Sequence, residues 1–198
     1  MQNRSLTFLT FLAKALTAAA ALTGLPAQAA APALPEKTPA CPAVLQQNVV
    51  RLQDEKPQSL CQYSGKVVVV NTASFCGFTP QYKGLESLHD KYQSRGLVVL
   101  GFPSNDFSQE SGSNKEIAAF CESTFGVKFP MFTKTSVSGK DASPFFKQLA
   151  SATGTPPRWN FYKYIISRDG STVTAFNSMT EPGSSKFMAE IEKQLAKP

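Results

Sequence analysis

Residues 66–82 read KVVVVNTASFCGFTPQY, and this stretch decides the architecture of the chain. The continuous apolar run at 67–70 is typical of a strand that is buried on both faces of a sheet. After Pro80, apolar residues recur at spacings of three and four, which predicts a helix over 80–95 that stops at Gly96. The stretch is therefore a strand-to-helix junction, and Cys76 lies inside it.

Cys76 is placed where a cysteine becomes reactive. The start of a helix offers unpaired backbone N–H groups and the positive end of the helix dipole. Both favour the thiolate, which is the form of cysteine that acts as a nucleophile. We therefore expect Cys76 to be the chemically active residue of the chain.

The remaining pattern predicts an α/β domain. A second buried strand at 97–102 completes a right-handed βαβ unit. Further predicted elements are a small N-terminal hairpin (49–52 and 59–61), a helix capped by Asn114, a helix at 143–152, a hairpin (161–166 and 172–176) and a last helix at 184–196. This order is that of a thioredoxin-like fold, with a central mixed sheet flanked by helices and an N-terminal β-hairpin, over residues 49–198.

The first 29 residues are typical of a secretory signal. Arg4 and Lys14 precede or flank a short apolar core at 15–22, and Ala27-Gln28-Ala29 fits a signal peptidase site. The apolar core is too short to span a bilayer comfortably, so no stable membrane association is expected. The sequence predicts cleavage near Ala29, a flexible leader over 30–48, and a periplasmic or secreted protein.

Charge and metal-ligand content exclude several functions. The formal charge of +6 falls to +4 when Arg4 and Lys14 are removed, and the other basic residues are scattered, so no nucleic-acid partner is expected. His89 is the only histidine and is expected to be a solvated helix residue. With no CxxC pair, the sequence predicts neither a zinc nor a copper site and no cofactor.

The chain has four cysteines, Cys41, Cys61, Cys76 and Cys121, which permit three full pairings. In an oxidising compartment Cys41 and Cys61 can form a structural disulfide for the N-terminal segment. Redox sensing by this pair is the alternative, and the structural disulfide is favoured because neither cysteine lies at a strand-to-helix junction.

Three motifs together resemble the glutathione peroxidase family, in its cysteine-containing, non-selenium, bacterial exported type. They are NTASFCGFTPQY at 71–82, GFPSNDF at 101–107 with Gln109-Glu110 and Gly112-Ser113-Asn114 after it, and Trp159-Asn160-Phe161. The resemblance runs from Val49 to the end of the chain. It implies an enzyme that reduces hydrogen peroxide and organic hydroperoxides with a thiol reductant, on a thioredoxin-like fold.

By this resemblance Cys76 is the peroxidatic cysteine, and Gln109, Trp159 and Asn160 complete a tetrad around its sulfur. Thiolate attack on a peroxide expels an alkoxide or hydroxide, which hydrogen-bond donors must meet. Two amides and an indole N–H can donate without neutralising the nucleophile. Taken singly, each of these three residues is more typical of an ordinary loop or core position.

Cys121 has two interpretations. Its helical face predicts a buried core cysteine. By the resemblance, the context Glu116-Ile117-Ala118-Ala119-Phe120-Cys121 marks the resolving cysteine, which would form a disulfide with oxidised Cys76. Since sulfurs on separate elements bond only on close approach, the helix would have to unwind. The implied reductant is a thioredoxin-like protein or glutathione, acting as co-substrate.

The chain departs from the family pattern in three places. Ser104 stands where many relatives carry cysteine. The loop at 106–111 is one residue shorter than the usual Phe-Gly-Gly-Gln-Glu-Pro form and lacks its glycine pair and proline, which bears on the placement of Gln109. The short connection at 151–158 lacks the insertion of tetrameric relatives and favours a monomer.

Two other functions compete with a peroxidase. A thioredoxin-like disulfide oxidoreductase would carry a second cysteine three residues after the first, but Thr79 occupies that position. A redox-sensing binding module would use oxidised Cys76 to signal to a partner. Catalytic consumption of hydroperoxide distinguishes the enzyme from the sensor.

Overall fold

The computed structural model describes residues 41–196. The predicted signal peptide and the leader up to residue 40 lie outside this range. The strands are β1 (Asn48–Val50), β2 (Pro57–Ser59), β3 (Lys66–Thr72), β4 (Leu97–Pro103), β5 (Lys163–Ile166) and β6 (Val173–Phe176). The helices are α1 (Gln81–Tyr92), α2 (Asn114–Phe125), α3 (Pro144–Thr153) and α4 (Ser185–Leu195).

The central sheet has four strands in the order β4-β3-β5-β6. β3 runs parallel to β4, with Val67 beside Val98, and antiparallel to β5, with Val70 beside Lys163. β5 and β6 form the predicted hairpin. The mixed sheet of a thioredoxin-like fold is thus confirmed, and β3, which carries the chain to Cys76, is an inner strand.

Alternation along β3 supplies a core to each face of the sheet. Val68 and Val70 pack with buried residues of α1, α2 and α4, and Val67 and Val69 pack with residues of α3. A strand buried on both faces needs apolar side chains at every position, which accounts for the unbroken valine run. In the described part of the chain, no helix is long and apolar enough to cross a bilayer.

The N-terminal hairpin is formed by β1 and β2, with Asn48 opposite Ser59. A disulfide joins Cys41 to Cys61 with their Cα atoms 5.3 Å apart, as predicted for this pair. A 3₁₀ turn at Ala43–Leu45 buries Leu45. The prediction of a flexible leader up to residue 48 was therefore wrong from Cys41 onward, because the disulfide and the burial of Leu45 fix this segment on the domain.

Two local predictions also need correction. Ser113, not Asn114, caps α2: its hydroxyl accepts from the Glu116 N–H, and the Glu116 carboxylate accepts from the Ser113 N–H. His89 is not a solvated residue, because it is half-buried with its ring edge-on to Phe129 at 6.3 Å between centroids. Burial lowers the pKa of His89.

Candidate active site

Cys76 lies in a series of turns between β3 and α1, ahead of the helix start at Gln81. Its side chain is buried, with a residue exposure of 8%. The backbone N–H of Phe78 donates to Cys76 Sγ at 3.4 Å. The sequence predicted contacts between backbone N–H groups and this sulfur; the Phe78 N–H belongs to the turn that precedes the helix and not to the helix itself.

Thr79 holds that turn together. Its hydroxyl oxygen accepts from the Cys76 N–H at 3.0 Å and donates to the Ala73 carbonyl at 2.9 Å. Thr79 occupies the position at which a disulfide oxidoreductase carries its second cysteine. A structural hydroxyl therefore replaces the second thiol, and no neighbouring dithiol is formed here.

Gln109 is joined to both sides of the site. Its backbone carbonyl accepts from the Phe75 N–H at 3.1 Å, and its Oε1 accepts from Nδ2 of Asn160 at 2.9 Å. The preceding Ser108 has a left-handed backbone, with φ of 55°. This conformation, which glycine adopts more readily, lets the shortened loop deliver Gln109 to the residue next to Cys76.

The turn that carries Trp159 and Asn160 is strained and held by its neighbours. Phe161 has φ of 61°, which is a rare conformation for a bulky residue. Asn71 Nδ2 donates to the Trp159 carbonyl at 3.1 Å, and the Ser178 hydroxyl donates to the Asn160 carbonyl at 2.6 Å. The sequence analysis missed Asn71 and Ser178; a polar residue at the end of the valine strand was the available signal for Asn71.

Apolar side chains are exposed around this group of loops. Phe75 precedes Cys76 in sequence and is 66% exposed, Trp159 is 41% exposed, and Met179, next to Ser178, is 74% exposed. The Trp159 ring lies 5.5 Å from that of Phe107. These loops thus expose an apolar rim, formed by Phe75, Trp159 and Met179.

Cys121 lies apart from these loops, on the buried face of α2. Its thiol donates to the Tyr82 hydroxyl at 3.4 Å, and it is a free cysteine, as is Cys76. Burial raises the pKa of Cys121 to about 11; the hydrogen bond between Cys121 and Tyr82 acts in the opposite direction, and the charge of Glu110 adds to the increase. Cys121 is therefore a neutral thiol in this conformation.

Glu110 is a further residue that the sequence analysis did not assign. It is fully buried, and its Oε2 accepts from the Ser74 hydroxyl at 3.1 Å. Oε1 has no hydrogen-bond partner among the described residues. Burial raises the pKa of Glu110. It lines a small cavity of about 50 Å³ between the Cys76 loop and α2, together with Phe75 and Phe120.

Metal-ligating side chains are dispersed. Among residues 41–196 there is no group of three or more histidine, cysteine, aspartate or glutamate side chains placed to hold a metal ion. The site residues predicted from the sequence offer one thiol, two amides and an indole instead.

Comparison with known proteins gives a consistent match. The family model for glutathione peroxidase matches residues 45–150. A glutathione peroxidase of Lactococcus lactis is 47% identical over 143 residues, which is 69% of this chain and 90% of that protein. A hydroperoxy fatty acid reductase of Synechocystis is 43% identical over 154 residues, 72% of this chain and 90% of that protein. A glutathione peroxidase-like peroxiredoxin of Schizosaccharomyces pombe is 46% identical over 136 residues, 66% of this chain and 86% of that protein.

Solved structures agree with this match. The crystal structure of Trgpx in its apo form superposes with a TM-score of 0.62 and 34% identity, covering 78% of this chain and 96% of that one. A secreted disulfide oxidoreductase of Mycobacterium tuberculosis superposes with a TM-score of 0.53 at 16% identity, covering 77% of this chain and 96% of that one, which is a likeness of fold alone.

Proposed function

Because the chain belongs to the glutathione peroxidase family and is a thiol-dependent peroxidase, we propose that Cys76 is its peroxidatic residue and that Gln109, Trp159 and Asn160 assist it. The observation that carries the assignment is the pair of bonds at Gln109. One joins its carbonyl to the N–H of Phe75, beside Cys76, and the other joins its side chain to Asn160. The two bonds thereby join the loops that carry Phe75, Gln109 and Asn160.

The chemistry follows from the donors in this group. The Cys76 thiolate attacks one peroxide oxygen, the O–O bond breaks, and the electron pair leaves on the other oxygen. Cys76 becomes a sulfenic acid, and the leaving oxygen takes up a proton to give water or an alcohol. Since Oε1 of Gln109 accepts from Asn160, the Nε2 hydrogens of Gln109 remain as donors, together with the Trp159 indole N–H.

The exposed apolar rim favours organic hydroperoxides as substrates, in addition to hydrogen peroxide. Phe75, Trp159 and Met179 can cover an apolar tail while the hydroperoxide end reaches Cys76. The relative named hydroperoxy fatty acid reductase supports this substrate class.

Cys121 is proposed as the resolving cysteine. It would attack the sulfenic sulfur of Cys76, so that an S–S bond forms, the S–O bond breaks, and the thiol proton leaves with hydroxide as water. Phe75 and Phe120 immediately precede the two cysteines, and their ring centroids lie 6.4 Å apart. In α2 only Ile117 and Cys121 are buried, which supports local unwinding as the way to bring the sulfurs together.

A Cys76–Cys121 disulfide suits a thioredoxin-like reductant, and glutathione is the alternative. The relative named a glutathione peroxidase-like peroxiredoxin supports a thiol cycle, which needs no cofactor. The protein is proposed to act as a monomer in the periplasm or outside the cell. The Cys41–Cys61 disulfide supports an oxidising compartment.

Intact mass and peptide mapping after one equivalent of peroxide test this mechanism. Wild type is expected to form the Cys76–Cys121 disulfide, Cys121→Ser to accumulate oxidised Cys76 without it, and Cys76→Ser to lose turnover. Peroxide turnover that survives Cys76→Ser would refute the role of Cys76. Wild type that yields only overoxidised Cys76 would remove Cys121 from the cycle.

A further inference from the structure

Lys163 is a buried lysine close to the site that the proposed chemistry does not use. It is fully buried at the start of β5, beside Val70 of β3. Its Nζ donates to Oε1 of Gln81, the first residue of α1, at 2.7 Å. Lysine is almost never fully buried without a partner of opposite charge, and here its direct partner is a neutral amide.

Hydrogen bonds connect this lysine to the active-site turn. Gln81 Nε2 donates to the Ser178 carbonyl at 2.7 Å and to Oε1 of Glu181 at 3.2 Å. The Ser178 hydroxyl in turn donates to the Asn160 carbonyl at 2.6 Å. The series of hydrogen bonds ends at Asn160, whose side-chain amide donates to Gln109.

A protonated lysine fixes the direction of this series. An ammonium group can only donate, so Gln81 must present its oxygen to Lys163 and its nitrogen to Ser178. A neutral amine donates more weakly than an ammonium group, so loss of the proton weakens the hold on Gln81 Oε1, while the Ser178 carbonyl and the Glu181 carboxylate still accept from its nitrogen. The protonation state of Lys163 thereby controls how firmly Ser178 is held.

We propose that Lys163 is a positioning residue for peroxide reduction, which acts through Gln81 and Ser178 to fix the main chain of Asn160 and so the orientation of Gln109. This inference rests on the proposed role of Cys76. Lys163 lies on β5, next to the strand that leads to Cys76, and it touches none of the reacting atoms.

The surroundings of Lys163 make this control sensitive near neutral pH. Burial lowers the pKa of Lys163 to about 7, and the nearby Glu181 carboxylate acts in the opposite direction. The tyrosine that follows Gln81 is neutral, because burial raises its pKa well above its usual value. The core on this face of the sheet contributes apolar or neutral side chains, among them Val70, Phe176 and Phe187, and Cys121 with its raised pKa is also neutral there.

The test separates donor placement from ionisation of Cys76. In a Cys121→Ser background, stopped-flow Trp159 fluorescence gives the rate of Cys76 oxidation by hydrogen peroxide, and iodoacetamide gives its alkylation rate. Their ratio cancels the thiolate fraction. Between about pH 5.5 and about pH 8.5, the ratio is expected to fall about tenfold, with its midpoint near pH 7. This decrease is smaller than the roughly 10²–10³-fold loss of rate that removal of a whole donor causes.

Lys163→Met is expected to give a low ratio that does not change with pH, whereas Lys83→Met, at an exposed position of α1, should match the parent. Ser178→Ala breaks the series of hydrogen bonds without removing the buried amine, and it should also give a low ratio that does not change with pH. This variant tests the proposal if Lys163→Met does not fold. A parent-like profile in either variant would overturn the proposal. Peroxide turnover by Cys76→Ser would instead refute the proposed function, and is measured separately.

Discussion

Nδ2 of Asn160 donates to Oε1 of Gln109 at 2.9 Å, although the two residues are 51 positions apart in the chain. Asn160 is fully buried, and Gln109 is half-buried. The bond fixes which end of the Gln109 amide is an acceptor, and it leaves the nitrogen end to donate. The pair therefore sets the polarity of the site as well as its shape.

Replacing Gln109 by Glu tests this polarity. The carboxylate can still accept from Asn160, but it has no hydrogen to donate and adds a negative charge beside the leaving oxygen. We expect the rate of peroxide reduction to fall by roughly 10²–10³, with little change in the urea midpoint. Gln93→Glu, at an exposed position, is the matched control. A rate within about threefold of wild type would contradict donation by Gln109.

Tyr82→Phe should loosen Cys121, the proposed resolving cysteine. It removes the hydroxyl to which Cys121 donates and leaves the ring in its aromatic cluster. Loss of one hydrogen bond costs about 1 kcal/mol, so local opening of α2 and disulfide formation should become about fivefold faster. Rapid-quench mass spectrometry measures this step. Unchanged or slower disulfide formation, with unchanged Cys76 oxidation, would show that this bond does not restrain resolution.

The Cys41–Cys61 disulfide should stabilise the domain without taking part in catalysis. It closes a segment with a sequence separation of 20, for which the chain-entropy model gives about 3 kcal/mol. The variant with both cysteines replaced by Ala should lose about that much free energy of unfolding and keep its rate of Cys76 oxidation. Urea titrations with and without reductant check the first point. A loss of peroxidase activity in the folded variant would assign this pair a redox role.

Stability between about pH 7 and pH 8.5 should depend on Lys163. Its pKa is about 7 when folded, against an ordinary 10.5. In this interval the unfolded chain binds a proton that the folded chain has released, so stability rises with pH, by at most about 1.4 kcal/mol per unit. Urea midpoints of Lys163→Met should lack this rise. The interval stops below about pH 9, because the raised pKa of Cys121 produces the opposite trend above it.

Glu110→Gln should alter stability in the opposite sense. Burial raises the pKa of Glu110, so the folded chain holds a proton that the unfolded chain has lost as the pH rises above about 4.5. Wild type should therefore lose stability relative to the Gln variant as the pH rises above about 4.5. Thermal melts over this rise in pH measure the difference. Glu122→Gln, at an exposed position of α2, should show no such trend.

Local sequence patterns were sufficient to predict the main strands and helices of the domain. The valine run, the helical spacing after Pro80 and the hairpin pattern at 161–176 predicted β3, α1 and the β5–β6 hairpin to within a few residues. They also placed Cys76 at the junction of strand and helix. These features depend on short-range periodicity and on burial of whole faces, which a sequence displays directly.

Long-range polar contacts were not predictable in the same way. Lys163 lies in the run Tyr162-Lys163-Tyr164, where a charged residue suggests a solvent-facing position, and its burial depends on Gln81 from another element. Glu110 is buried because Ser74 and α2 cover it. Each case requires knowledge of which loops meet, and this is set by the folded sheet.

The left-handed Ser108 has a consequence for recognising distant relatives. Its backbone delivers Gln109 without the glycine pair that usually precedes this glutamine, so the proposed role of Gln109 depends on the path of the loop and not on its residue types. Searches that demand the glycines would overlook enzymes with equivalent chemistry. A three-dimensional template of the Phe75–Gln109–Asn160 contacts would retrieve them.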